Sequence, residues 1–192
     1  MTPAAAVDEA FAATPRVAFL PDDQHRFAHI DRALPIGWGQ TNSQPTTVRT
    51  MLALLDVCPG LCVLDVGCGS GWTTALLARL VGPTGEVIGV EIVPELVEFG
   101  RANLARQDLP QAHIEPAVPG VLGLPDRRPF DRILVSAQAS TFPTAFVDQL
   151  CVGGVLVVPV AGWMHEVRRT ALDAPPEVIR HGGYSFVPLV GG

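Results

Sequence analysis

Apolar residues along this chain fall into two alternating rhythms. Short, largely apolar runs at 62–66, 86–91, 112–115, 131–136 and 154–160 are strand candidates. Between them, windows at 71–81, 94–107 and 143–150 carry apolar residues at helical spacing. Two further helical windows precede the first strand. Residues 4–13 have helical composition and end near Thr14-Pro15, and 46–57 places apolar residues at 48, 51, 52, 54 and 55. Ser43 or Thr46 is placed to cap that second helix. Pro94 suits a helix first turn, and Gly153-Gly154 punctuates the last helix before Val155–Val158. Strands separated by helices imply an α/β fold with a mostly parallel sheet covered by helices on both faces. After Gly162, Val167–Leu172 with either Glu177–Ile179 or Tyr184–Val187 suggests an antiparallel C-terminal end. At 192 residues the whole is expected to be one domain. The segment from Pro15 to Pro45, rich in Pro, Gly and polar residues, is too long for a simple connection. Structureless runs of that length are usually functional.

The junction of the first strand and its helix carries the strongest chemical signal. Val63-Leu64-Asp65-Val66 runs into Gly67-Cys68-Gly69-Ser70-Gly71, and apolar residues return from Trp72 onward. Glycines at 67, 69 and 71 permit positive φ and a close approach of the backbone to a ligand. The helix start beneath them is expected to leave N–H groups free to bond it. The next strand, Glu86–Val90, ends in Glu91, about twenty residues on. A carboxylate there is placed to bond the ribose hydroxyls of a nucleoside.

Composition removes several alternatives. A hydrophobic share of 48% marks a packed globule. No apolar stretch has the length of a membrane span, and Met1–Glu9 lacks the basic start and apolar core of a signal peptide. A cytoplasmic location without membrane partners is therefore expected. A net charge of −6 without any basic run argues against nucleic acid. All thirteen basic residues are arginine, which excludes a Schiff-base lysine, a lysine base and the lysine of a P-loop. Cys58, Cys62, Cys68 and Cys151 form no Cys-x-x-Cys pair and read as buried reduced thiols. His25 and His29 lie near Asp31, but in a polar stretch that favours surface histidines, so no metal site is expected.

The single-spaced Gly-x-Gly-x-Gly led by Asp65 resembles the turn that class I methyltransferases use for S-adenosylmethionine, within a Rossmann-like fold. Leu34-Pro35-Ile36-Gly37-Trp38-Gly39-Gln40-Thr41-Asn42-Ser43-Gln44-Pro45 resembles, more specifically, the signature of protein-L-isoaspartate O-methyltransferases. Thr14–Pro21, Pro129–Ala137, the stretch Gln149–Val160 and the ending Phe186–Leu189 are similar to other segments of that family, so the resemblance spans nearly the whole chain. It implies methylation of the α-carboxylate of L-isoaspartyl residues in peptides or proteins. S-adenosylmethionine is the implied donor and S-adenosylhomocysteine the product. The acceptor carboxylate is already an anion and the donor a sulfonium cation, so alignment in a dry pocket can replace a strong base. The resemblance implies Ser43 as the catalytic hydroxyl. It places Thr41, Asn42, Ser43, Asp65, Gly67, Gly69, Gly71 and Glu91 around the cofactor, and Pro35, Ile36 and Gly37 against the substrate. Residues 1–57 become the substrate and active-site segment of a methyltransferase domain spanning 1–192.

Four departures from the family pattern stand out. Val118-Pro119-Gly120 occupies the place of its Gly-Asp-Gly, His29 stands for its Tyr, Asn42 for its Ile, and the C-terminal region is shorter. Two other readings stay open at this point. One is esterification of a normal aspartate in one dedicated biosynthetic peptide. The other is a non-catalytic module that keeps the cofactor-binding or interaction surface.

Overall fold

The computed structural model describes residues 2–127 and 129–190. A hairpin comes first, β1 (Leu34–Gly37) and β2 (Gln40–Asn42). The main sheet follows with β3 (Cys62–Val66), β4 (Glu86–Glu91), β5 (Ala112–Pro116), β6 (Phe130–Val135), β7 (Leu150–Val160), β8 (Trp163–Arg168) and β9 (Glu177–Gly183). The helices are α1 (Pro3–Ala13), α2 (Pro45–Leu55), α3 (Trp72–Val81), α4 (Pro94–Leu104) and α5 (Thr144–Asp148). The seven strands lie in the order β5-β4-β3-β6-β7-β8-β9, parallel through β7 and antiparallel beyond it. The chain builds outward from β3 to β5 and then returns to β6. The order therefore reverses between β3 and β6, and a crevice opens there at the carboxyl ends of the strands.

Both faces of the sheet are buried because successive strand residues point to opposite sides. Val63, Leu134, Val155 and Val157 join the core beneath α1, α2 and α3. Leu64, Ile133, Leu156 and Val158 join a second core that receives Phe146 and Val147 of α5 and Leu122 and Leu124 of the β5–β6 connection. Asp65 follows the parity of Val63, so its carboxylate faces α3.

Several boundaries differ from the sequence expectation. The 94–107 helix stops at Leu104, and a turn from Leu104 to Gln107 leads to Asp108 at φ +51°. The 143–150 helix is clipped at Asp148 because Leu150 already pairs with Phe130 and is fully buried, which starts β7 before the Gly153-Gly154 pair. The antiparallel end begins at Trp163, and Tyr184–Val187 forms no strand: Tyr184 N–H bonds Gly162 C=O and Gln138 N–H bonds Val187 C=O. The segment 15–45, expected to be irregular, holds two short 3-10 helices, Arg16–Phe19 and Asp22–Phe27, besides the hairpin. Among the described residues no helix is long and apolar enough to cross a membrane. The expectation of buried thiols holds for Cys62 and Cys68 but fails for Cys58, which is exposed, and for Cys151, which is half-buried.

Candidate active site

A cleft open to solvent, with a cavity of about 80 Å³, lies above the reversal between β3 and β6. Its floor is Gly67–Ser70, and one wall is Gln40–Ser43. Gly71, the N-cap of α3, holds φ +83°. A side chain on Gly71 would meet Gly100 O and Ile114 Cδ1, both at 3.1 Å. Only glycine lets the turn close this tightly beneath α4.

The loop is less of an anion cradle than the sequence suggests. The N–H groups of Gly67 and Cys68 both donate to Val90 C=O, and that of Gly71 donates to Cys68 C=O. Gly69 N–H donates to Glu91 Oε2 at 2.9 Å. Nests that bind phosphate need free N–H groups, and four of these are already committed. Close packing and the Glu91 carboxylate are what the loop offers instead. Glu91 is buried, and its Oε1 accepts from the N–H groups of Ile92 (2.8 Å) and Val93 (3.0 Å). A carboxylate oxygen has about two lone pairs. Oε1 is therefore filled, whereas Oε2 keeps one direction for a ligand hydroxyl.

Asp65 lies below the loop, fully buried, with Oδ2 accepting from Thr73 Oγ1 (2.7 Å) and Thr74 Oγ1 (2.8 Å) in the first turn of α3. Burial pushes its carboxyl up to about 6. The two threonine hydroxyls oppose that shift and the Glu91 charge adds to it. Asp65 Oδ1 has no hydrogen-bond partner among the described residues, and neither does Ser136 Oγ on the cleft wall. Burial, with Asp65 and Glu91 nearby, drives the Cys68 thiol well above its ordinary range, so it is neutral and unreactive.

Asp65 has a consequence for stability. A carboxyl whose pKa rises on folding, from about 3.9, binds its proton more tightly in the folded chain. That contribution is complete below about pH 4 and disappears as pH rises through about 6. Two pH units correspond to about 3 kcal/mol. Urea unfolding at both ends of this window is expected to show the wild type losing roughly that much more stability than Asp65→Asn. Parallel pH profiles for the two proteins would overturn the assignment.

The wall carrying Ser43 is organised by a residue that the sequence reading left without a role. Arg16 is buried. Its Nε donates to Asn42 Oδ1 (2.7 Å), Nη1 to Ile30 C=O (3.1 Å), and Nη2 to the carbonyls of Arg32 (2.8 Å), Asn42 (2.9 Å) and Ser43 (2.9 Å). Desolvation lowers its pKa to about 10, partly offset by Asp31, so it stays cationic at neutral pH. An arginine embedded in apolar Val17-Ala18-Phe19 beside a proline was the available signal. Asn42 Nδ2 donates in turn to Ser70 Oγ at 3.0 Å.

The proposed capping of α2 by Ser43 or Thr46 does not occur. The N-cap residue is Gln44 and makes no side-chain cap. Asp31 does that work from outside the helix, accepting from Thr46 N–H (2.9 Å), Thr46 Oγ1 (2.7 Å) and Gln44 Nε2 (3.0 Å), bonds that hold its carboxyl below its usual range. Ser43 is left half-buried, its hydroxyl without a hydrogen bond among the described residues, on the cleft wall.

Of the residues assigned from sequence, Thr41, Asn42, Ser43, Gly67, Gly69 and Glu91 converge on the cleft. Asp65 and Gly71 lie beneath it. Pro35, Ile36 and Gly37 are not among its lining residues. Pro35 and Gly37 are exposed on the hairpin, whereas Ile36 is buried with Leu20, Leu34 and Leu96. The opposite wall comprises Ala117–Val118, Val121–Gly123 and Val187–Val190, apolar where the family pattern has an acid.

The family model described as Protein-L-isoaspartate(D-aspartate) O-methyltransferase (PCMT) matches residues 2–192. A protein-L-isoaspartate O-methyltransferase of Pyrococcus horikoshii is 40% identical over 191 residues, covering 96% of this chain and 84% of its own. That of Methanopyrus kandleri is 43% identical over 191 residues, covering 96% and 83%. A Plasmodium falciparum structure assigned to the same activity, in complex with S-adenosyl-L-homocysteine, superposes with a TM-score of 0.86 at 25% identity, over 97% of this chain and 91% of that one.

Proposed function

We infer the chemistry of this cleft from one premise: the chain belongs to the protein-L-isoaspartate(D-aspartate) O-methyltransferase family. It is an S-adenosylmethionine-dependent carboxyl O-methyltransferase, and its substrate is the α-carboxylate of L-isoaspartyl residues in peptides or proteins. A carboxylate oxygen takes the methyl group, the sulfonium becomes a thioether, and methyl ester and S-adenosylhomocysteine result. Loss of methanol as a neighbouring backbone nitrogen attacks then gives the succinimide of the repair route.

The observation that carries this reading is a cleft whose lining holds one acidic side chain, Glu91, and no base beside Ser43 among the described residues. An anionic nucleophile needs none. The cofactor fits on independent grounds. Oε2 of Glu91 retains acceptor capacity for a ribose hydroxyl, while Gly67 and Gly69 give close access. On the cleft wall, the orphaned Ser136 Oγ is an unspent polar group for a ligand. When bound, S-adenosylmethionine supplies an electrophilic methyl group on a cationic sulfur. Ser43, with Thr41 beside it, orients the incoming carboxylate, and the apolar Val118, Val121 and Leu122 exclude water on the far side. Residues 1–57 then form the acceptor-positioning segment of a domain spanning 1–192.

Transfer of labelled methyl to paired isoaspartyl and aspartyl peptides tests this. Label is expected on the isoaspartyl peptide and should leave as methanol in mild base. Base-stable label, or preference for the aspartyl peptide, would overturn the carboxylate chemistry or the substrate respectively.

A further inference from the structure

The acceptor segment and the cofactor loop belong to distant parts of the chain, and one buried amide joins them. Both polar atoms of the Asn42 side chain are engaged by protein: Oδ1 accepts from Arg16 Nε at 2.7 Å, and Nδ2 donates to Ser70 Oγ at 3.0 Å. Asn42 is buried and held at both ends, and it lies on the cleft wall next to Ser43. Ser70 is in turn fixed from the far side by Asn103 Nδ2, which donates to its carbonyl at 3.1 Å, and its neighbour Gly69 by Glu91. Arg16 closes the other end by donating to Ser43 C=O. An unbroken chain of hydrogen bonds thus runs from the loop at Ser70, through Asn42 and Arg16, to the backbone of Ser43.

We propose that Asn42 is a positioning residue that couples occupancy of the cofactor loop to the placement of Ser43. This rests on the reading of the loop and Ser43 given above. An apolar residue at this place would have no hydrogen-bonding group with which to make the link. Its physical basis is directional. In a buried setting a hydrogen bond loses its strength with small displacements. A displacement of Ser70 by a ligand on the loop would therefore pass to Asn42 and onward to Arg16, whose guanidinium is planar and holds its five acceptors in fixed relative positions.

Three variants separate this role from a merely structural one. Asn42→Leu keeps the bulk and removes both bonds. Asn42→Asp keeps both, since a carboxylate accepts from Arg16 and from the Ser70 hydroxyl, which reverses to donate. Ser70→Ala breaks the link without touching Arg16. Single-turnover methyl transfer to an isoaspartyl peptide is expected to fall about tenfold to a hundredfold in Asn42→Leu, the scale of a misplaced reacting group. It should recover most of the way in Asn42→Asp. Asn42→Leu/Ser70→Ala should be no slower than the slower single variant, because Asn42→Leu already removes the bond that Ser70→Ala breaks. Amide exchange across residues 40–46 should be slowed by S-adenosylhomocysteine in the wild type and Asn42→Asp but not in Asn42→Leu.

Turnover within twofold of wild type in Asn42→Leu, or undiminished ligand-dependent protection of 40–46 in that variant, would overturn the proposal. So would strictly additive losses in the double variant. A wild type that binds S-adenosylhomocysteine and methylates nothing would instead overturn the functional reading.

Discussion

Ser43→Ala is expected to slow methyl transfer about tenfold to a thousandfold, the range for one positioned donor, while cofactor affinity stays within about threefold. Two structural observations sharpen this expectation. The hydroxyl has no partner among the described residues although it lies on the cleft wall, and the capping role that would explain it structurally is performed by Asp31. Removing Ser43 Oγ therefore takes nothing from α2. Interactions made chiefly in the transition state lower kcat without weakening ground-state binding. Calorimetric titration with S-adenosylhomocysteine and single-turnover transfer on the same protein separate the two terms. Normal turnover in Ser43→Ala would remove the residue from the mechanism, and a loss of about 1 kcal/mol in folding stability would restore the capping explanation.

Arg16→Met should produce the largest loss of stability and, with it, of activity. The guanidinium satisfies Asn42 Oδ1 and the carbonyls of Ile30, Arg32, Asn42 and Ser43 at once, and stacks on Trp72 with Cζ 5.5 Å from the ring centroid. A methionine fills a similar volume and donates nothing. Each buried group left without a partner costs about 1–3 kcal/mol, and water reaching the more open carbonyls recovers part of that. A net loss on the order of 3–4 kcal/mol follows. It should be local: amide exchange should accelerate across residues 30–43 while β3, β4 and β6 stay protected. Arg16→Lys keeps the charge but has three donors on a flexible stem, so it should hold the fold better than it holds turnover. Unchanged exchange across 30–43 in Arg16→Met would refute the organising role.

The correct parts of the sequence reading share a cause. Strands β3, β4, β6 and β7 are buried on both faces along most of their length, so their buried stretches (Cys62–Val66 apart from Asp65, then 87–90, 133–135 and 155–160) are written as apolar runs. The turn between β3 and α3 needed glycine for reasons of local geometry, and Glu91 follows at the end of the next strand. Local rules reach such features because the residues that specify them are neighbours in the chain. The misjudged boundaries lie where two states compete locally. Leu150 suits helix or strand equally, and its pairing with Phe130 decides the matter.

What the sequence determined by itself is the parallel α/β order, the glycine loop with its acidic partner, and a serine-bearing segment of recognisable type. What only the tertiary structure decided is how that segment is held. Arg16 meets Asn42 and Ser43 across 26 and 27 residues, Asn42 meets Ser70 across 28, and Asp31 caps a helix that begins beyond the hairpin. Nor does periodicity reveal that the N–H groups of Gly67, Cys68 and Gly69 are already spent or that Ile36 turns inward. These are buried polar and packing contacts between elements remote in sequence. Hydrogen bonds there are set by distance and angle in the folded chain, and residue type records only that a partner is required, not which one.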